Sequence, residues 1–120
     1  MVKILVVDDS ASIRNMVSFT LQQQKYETVE AMDGVDGLKK AKMGKFDLVI
    51  TDVNMPNMDG ITLCKELRQL PAFKFTPVLM LTTESSSDMK MKGKSAGATG
   101  WLVKPFNPDK LLATIKRVIR

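Results

Sequence analysis

The sequence predicts a doubly wound α/β domain, five parallel strands alternating with five helices in a (βα)5 order. Three observations lead there. Five short apolar runs recur along the 120 residues. The segments between them carry apolar residues at helical spacing. Four of the runs end in polar residues: KILVV in Asp8-Asp9, FDLVI in Thr51-Asp52, PVLML in Thr82-Thr83 and GWLV in Lys104-Pro105. A β-α repeat of this kind makes a parallel sheet with right-handed crossovers and helices on both faces. The carboxyl ends of its strands are where such sheets bind ligands.

Lys3–Val7 is continuously apolar and reads as a central first strand. Ser10 or Ser12 can cap the first helix, whose inward face is Ile13, Met16, Val17, Thr20 and Leu21. Tyr26–Ala31 alternates more, carries Glu27 and Glu30, and reads as an edge strand. Asp33-Gly34 starts the second helix, with Val35, Leu38 and Ala41 inward and Lys39, Lys40 and Lys42 outward. Phe46–Ile50, or one residue more, is the third strand. After it Asn54, Pro56, Asn57, Asp59 and Gly60 form a turn-rich stretch. The third helix begins near Gly60, buries Ile61, Cys64 and Leu67, and stops before Pro71. Pro77–Leu81 is the fourth strand. The fourth helix has Ser85, Ser86 and Ser87 as caps, a thin apolar face of Met89 and Ala96, and Gly93 as an interruption. A weakly held helix is a candidate moving part. Gly100–Val103 is the fifth strand, and Asn107 with Pro108 opens the fifth helix. Leu111, Leu112, Ile115, Val118 and Ile119 give that helix the best amphipathic face in the chain.

A chain of 120 residues makes one domain with its own core. No apolar run approaches membrane-spanning length, and no signal-like segment opens the chain, so a cytoplasmic protein is expected. The single cysteine, Cys64, excludes an internal disulfide and reads as a small buried hydrophobe. With no histidine, a His-based triad, a His metal site and a phosphohistidine carrier are excluded. The net charge of +5 is uneven: residues 1–73 hold 9 basic and 10 acidic side chains, residues 74–120 hold 9 and 3. The second half therefore offers either a solvated basic surface or a docking face for an acidic partner. No recognition motif or aromatic interleaving accompanies the charge, so nucleic acid is not expected as a partner.

Asp8, Asp9 and Asp52 converge at one end of the predicted sheet. Three crowded carboxylates repel one another. A hard divalent cation relieves that, and oxygen ligands without His or Cys favour Mg²⁺ or Mn²⁺ over zinc. A metal, a carboxylate and a lysine together suit phosphoryl transfer, in which charge spread over the phosphoryl oxygens must be positioned and neutralised. Asp52 can be the nucleophile, giving an aspartyl phosphate. Lys104 and the Thr82 hydroxyl can meet the phosphoryl oxygens. Pro105 argues that Lys104 is more than a surface charge, because Lys-Pro fixes its loop and can adopt a cis bond.

The motifs VVDDS (Val6–Ser10), ITDVNMPNMDG (Ile50–Gly60), MLTTE (Met80–Glu84) and WLVKPF (Trp101–Phe106) closely resemble the receiver domain of two-component response regulators, most of all the single-domain chemotaxis regulators. The resemblance covers the whole chain. It implies a flavodoxin-like sheet with strand order 2-1-3-4-5, a receiver over residues 1–120 and no effector domain. It also implies a phosphoacceptor that is not an enzyme beyond its own phosphorylation and dephosphorylation. In that family's terms Asp52 would take the phosphoryl group from a histidine kinase. Asp9, Asp52 and the Asn54 carbonyl would hold Mg²⁺, with Asp8 acting mostly through water. Thr82 would be the switch hydroxyl, Lys104 would pair with Asp52 or the phosphate, and Trp101 would be the switch aromatic. The target would dock on the face of the fourth helix, fifth strand and fifth helix, a flagellar motor switch protein being the leading candidate, and the protein would be a monomer. Two residues depart from the family pattern. Trp101 stands where Tyr or Phe is usual, and Thr83 where a smaller residue is. Trp101 lies three residues before Lys104 on the fifth strand, and since side chains alternate along a strand it is expected at the rim beside the fourth or fifth helix, away from the carboxylates.

Three other readings compete. A phosphorelay intermediate would pass the phosphoryl group onward. A Mg²⁺-dependent phosphatase with an aspartyl nucleophile would want an acid where Asn54 stands. A flavodoxin-like cofactor binder would want a Ser/Thr/Gly-rich phosphate cradle where Asp8-Asp9 stands.

Overall fold

Parallel pairing aligns the strand ends. In the computed structural model, which describes residues 1–119, the strands are β1 (Lys3–Val7), β2 (Glu27–Ala31), β3 (Leu48–Thr51), β4 (Val78–Thr82) and β5 (Gly100–Val103). They form one sheet in the order β2-β1-β3-β4-β5, as expected. Val7 lies opposite Thr51, and Thr82 opposite Val103. The residues that follow these ends therefore meet along one edge of the sheet. Three strands are set slightly differently from the sequence reading: β2 starts at Glu27, β3 runs Leu48–Thr51, and β4 runs on to Thr82. Pairing with a neighbour fixes those limits, and apolar content alone does not.

The helices are α1 (Ala11–Gln22), α2 (Gly34–Met43), α3 (Gly60–Arg68), α4 (Ser87–Ala96) and α5 (Pro108–Val118). Alternate strand residues feed two cores. Ile4, Val6, Leu48, Ile50, Leu79 and Leu81 pack with Val17 and Leu21 of α1 and with Leu111 and Ile115 of α5. Leu5, Val7, Val49, Val78 and Met80 pack with Ala41, Leu63, Cys64, Leu67 and Ala96 on the other face. Side-chain oxygens of Ser10, Asp33, Asp59, Ser86 and Asn107 cap the five helices in turn. A cap of this kind typically contributes ~1 kcal/mol.

Two inward assignments fail. Met16 is 54% exposed and Val35 is 50% exposed. Each lies on the border of its helix's apolar stripe, where spacing alone does not tell flank from centre. Cys64 is buried, and its thiol donates to the Ala96 carbonyl at 3.4 Å. A 3₁₀ turn at Pro71–Phe73, not anticipated, buries Phe73.

Gly93 does not interrupt α4. A Cβ there would lie 2.7 Å from the Trp101 ring, so the glycine lets the helix close on the indole. At the other end of α4, Arg68 crosses from α3. Its guanidinium donates to the carbonyls of Gly97 (2.7 Å), Phe73 (2.6 Å) and Thr76 (2.6 Å). Gly97 takes φ +103°, a left-handed C-cap suited to glycine.

Candidate functional site

The aligned strand ends bring together most of the residues singled out from the sequence. The oxygens of Asp8, Asp9 and Asp52 lie within 4.8 Å of one another. Asp8 and Asp52 are buried and Asp9 is exposed. Lys104 joins them: its Nζ lies 2.7 Å from Asp8 Oδ2 and 2.9 Å from Asp52 Oδ2. The second oxygen of Asp52 accepts from the Val53 N–H at 2.7 Å. The second oxygen of Asp8 accepts from the Ser10 N–H at 2.9 Å, which ties the cluster to the start of α1. The Lys104–Pro105 bond is cis.

Burial pushes the Asp8 carboxyl above its ordinary value, and Lys104 with the Ser10 N–H recovers only part of that. Lys104 itself is raised: burial disfavours its charge, and the hydrogen bonds it donates to Asp8 and Asp52 more than offset that. For an acid whose pKa is higher folded than unfolded, the folded state holds its proton longer. Stability then falls as pH rises through the folded pKa, and the full cost stands above it. Asp8→Asn is neutral throughout and keeps an oxygen for Lys104. It should therefore raise the melting temperature at pH 7 without metal by about 3–6 °C, roughly what 1 kcal/mol does in a domain of this size. The gain should shrink toward pH 3. A lower melting temperature at pH 7 would show that attraction to Lys104 outweighs the burial of Asp8.

The other predicted residues stand around this cluster. Thr82 is wholly buried, and its hydroxyl accepts from the Glu84 N–H at 3.2 Å. Asn54 is exposed, and its side-chain amide donates to the Glu84 carboxylate at 2.9 Å. Trp101 is half-buried on the α4 face of β5, and its indole N–H donates to the Glu84 carbonyl at 2.8 Å. It sits beside a helix and not among the carboxylates. Thr83 is exposed beside Thr82.

Glu84 thus touches Thr82, Asn54 and Trp101 through three different groups. Sequence reasoning did not single it out. The available signal was its place in MLTTE, two residues past Thr82, but only the β4–α4 loop conformation reveals the triple contact. Gly60 was read as a turn former and the start of the third helix, not as a packing constraint. A Cβ there would fall 1.9 Å from the Asp52 carbonyl oxygen, so it sets how closely α3 approaches the site. Asn57, with φ +69°, donates to the Asp33 carboxylate at 2.7 Å and fixes the same loop from its far side.

The model of the response regulator receiver domain matches residues 4–116. The chain belongs to that family. This receiver domain is the phosphoacceptor signalling module of a two-component response regulator. It is 56% identical to the chemotaxis protein CheY4 of Vibrio cholerae, with a TM-score of 0.96 and 99% of each chain covered. Against the response regulator TrrA of Thermotoga maritima, solved in complex with Mg²⁺-BeF, the identity is 35%, the TM-score 0.89, and the coverage 99% of this chain and 100% of that one. It is also 41% identical to the alkaline phosphatase synthesis transcriptional regulatory protein PhoP of Bacillus subtilis, over 98% of this chain and 48% of that protein. The chain thus spans about half the length of the curated relatives it matches. Receiver domains act between histidine kinases and downstream targets. Among the described residues no helix is long and apolar enough to cross a membrane.

The family binds Mg²⁺, and the residues here fit a small hard cation. All three converging donors are carboxylates. One is exposed and two are buried, so the cluster is open on its Asp9 side. A single lysine leaves it with surplus negative charge.

Proposed function

We propose that Asp52 is the residue phosphorylated, and that this receiver takes its phosphoryl group from a histidine kinase to control a chemotaxis target. The observation that carries the assignment is the Asp52 carboxylate, held between the Val53 N–H and Lys104 beside Asp8 and Asp9. An Asp52 oxygen attacks the phosphorus of the phosphohistidine, a P–O bond forms, the P–N bond breaks, and the imidazole leaves with a proton. Lys104 is within reach of the new phosphoryl oxygens and balances their charge, while the Val53 N–H fixes the rotation of the carboxylate. Thr82 turns its hydroxyl from the Glu84 N–H to the phosphoryl group. That turn frees the Glu84 segment, which Trp101 also holds, and so carries the change to α4 and β5.

Asp9, Asp52 and the Asn54 carbonyl would hold Mg²⁺, or Mn²⁺ in its place, with Asp8 behind them. When bound, the cation supplies countercharge for the phosphoryl oxygens. Mg²⁺ should raise the melting temperature of the unphosphorylated protein by mass action on the folded state. Asp9→Ala should remove most of that rise, and Asp8→Ala less. A melting curve that does not move at tens of millimolar Mg²⁺ would remove the metal from this reading.

The 56% identity with a chemotaxis protein over 99% of both chains supports a chemotaxis role, for which a flagellar motor switch protein is the candidate target. The face of α4, β5 and α5 suits an acidic segment of it: Lys90 and Lys94 line a groove with Trp101. Reversing Lys90 and Lys94 to Glu should slow association several-fold and flatten its dependence on salt. The test is surface-plasmon association of the phosphorylated receiver with the immobilised motor protein. Equal rates for wild type and double reversal would rule out docking on this face.

A further inference from the structure

Helix α4 separates two basic grooves. Lys90 and Lys94 face Trp101 on one side. Lys92 faces α3 on the other, across a second groove of about 590 Å³. Ile61, Met89 and Met91 give that groove apolar lining, and Lys65 of α3 lines it together with Lys92. We propose that the α3–α4 groove is a second docking site, for an apolar protein segment that carries carboxylates.

Met91 is 67% exposed, and the helix around it contributes little apolar surface of its own. Methionines make an adaptable floor for an apolar side chain. Lys65 and Lys92 come from different helices, and among the described residues neither lies within 4.0 Å of a carboxylate. Covering them without countercharge would be costly, so a segment that fills the groove must bring acidic groups for both. A continuous polyanion fits poorly. Asp59 lines the same groove, and the lining holds no aromatic ring on which a base could stack. A peptide instead places its carboxylates selectively, against the two lysines and away from Asp59. An amphipathic helix laid in a groove does this with anchors at i, i+3 and i+7.

The probe is a blocked, isotope-free helical peptide with leucines at that spacing and glutamates flanking them, titrated into the ¹⁵N-labelled, unphosphorylated protein. Because no phosphoryl group is involved, failure here leaves the Asp52 reading untouched. Amide shifts should cluster at Ile61, Lys65, Met91 and Lys92. The pair Lys65→Glu and Lys92→Glu should weaken binding at least about tenfold, while Lys90→Glu with Lys94→Glu should leave it within twofold. Lys65 and Lys92 are exposed, so these variants keep the fold. A peptide with lysines in place of the glutamates should not bind. Shifts confined to the Trp101 side, indifference to the Lys65 and Lys92 reversals, or no shifts at millimolar peptide would each overturn the proposal.

Discussion

Asp52→Asn should reduce labelling by acetyl phosphate or a phosphohistidine donor to background. An amide nitrogen is no nucleophile, and its oxygen lacks the charge to attack phosphorus. The protein should stay folded. In the wild type one Asp52 oxygen accepts from the Val53 N–H and the other meets Lys104. Asparagine has one acceptor oxygen and can keep only one of those contacts. Lys104 retains Asp8 at 2.7 Å, so it is not left as an unpaired buried charge. Removing one of three neighbouring carboxylates also relieves repulsion. A melting temperature within a few degrees of wild type is therefore expected together with complete loss of labelling. Asp8→Asn serves as the control, because it removes a carboxylate from the same cluster yet should still label. Acid-labile label on the Asp52→Asn protein at wild-type level would transfer the phosphoryl site to another residue.

Gly60→Ala should destabilise the domain by about 3 kcal/mol or more, at the upper end of what overpacking typically costs. Helix propensity predicts the opposite sign: replacing glycine by alanine inside a helix ordinarily gains up to ~1 kcal/mol. Geometry decides against it. The added Cβ would stand 1.9 Å from the Asp52 carbonyl oxygen and 2.9 Å from its carbon, and both are backbone. No side chain can rotate away. Either α3 withdraws or the Asp52 peptide turns, and Gly60 is also bonded through its N–H to the Val53 carbonyl at 2.9 Å. Since a domain's net stability is about 5–15 kcal/mol, the loss should show plainly as a lower urea midpoint. Labelling of the folded fraction should also slow, because the displaced atoms carry the Asp52 side chain. A urea midpoint equal to or above wild type would mean that α3 can recede without cost.

Residue type read at strand ends brought most of the site within reach of the sequence. Asp8, Asp9, Asp52, Thr82 and Lys104 each follow or close an apolar run, and a parallel sheet aligns those ends whatever the loops do. Residues whose roles depend on loop paths were harder to see. Glu84 meets Thr82, Asn54 and Trp101 because of how one short loop bends. Gly60 matters through a close approach to Asp52, eight residues earlier in the chain, and spacing does not encode distance. Gly93 was misread for a related reason: on a helix a glycine looks like a weakness until a neighbour, here an indole, occupies the missing Cβ. Met16 and Val35 were placed inward because periodicity gives the direction of an apolar stripe better than its width.

The guanidinium of Arg68 makes α4 a lever. It grips the Gly97 carbonyl at one end of the helix, together with two carbonyls of the segment that leads into β4. The opposite end is held by its own cap, Ser86 accepting from Met89, a contact that travels with the helix. A rod of ten residues, about 15 Å long, turned by roughly 10° about its far end sweeps its near end through about 2.6 Å and leaves the fulcrum in place. That near end adjoins Glu84, where the strand ends meet. Small displacements beside Asp52 would thus pass along α4 as a swing that dies away toward Gly97, and not as a slide. They would widen one flanking groove while narrowing the other.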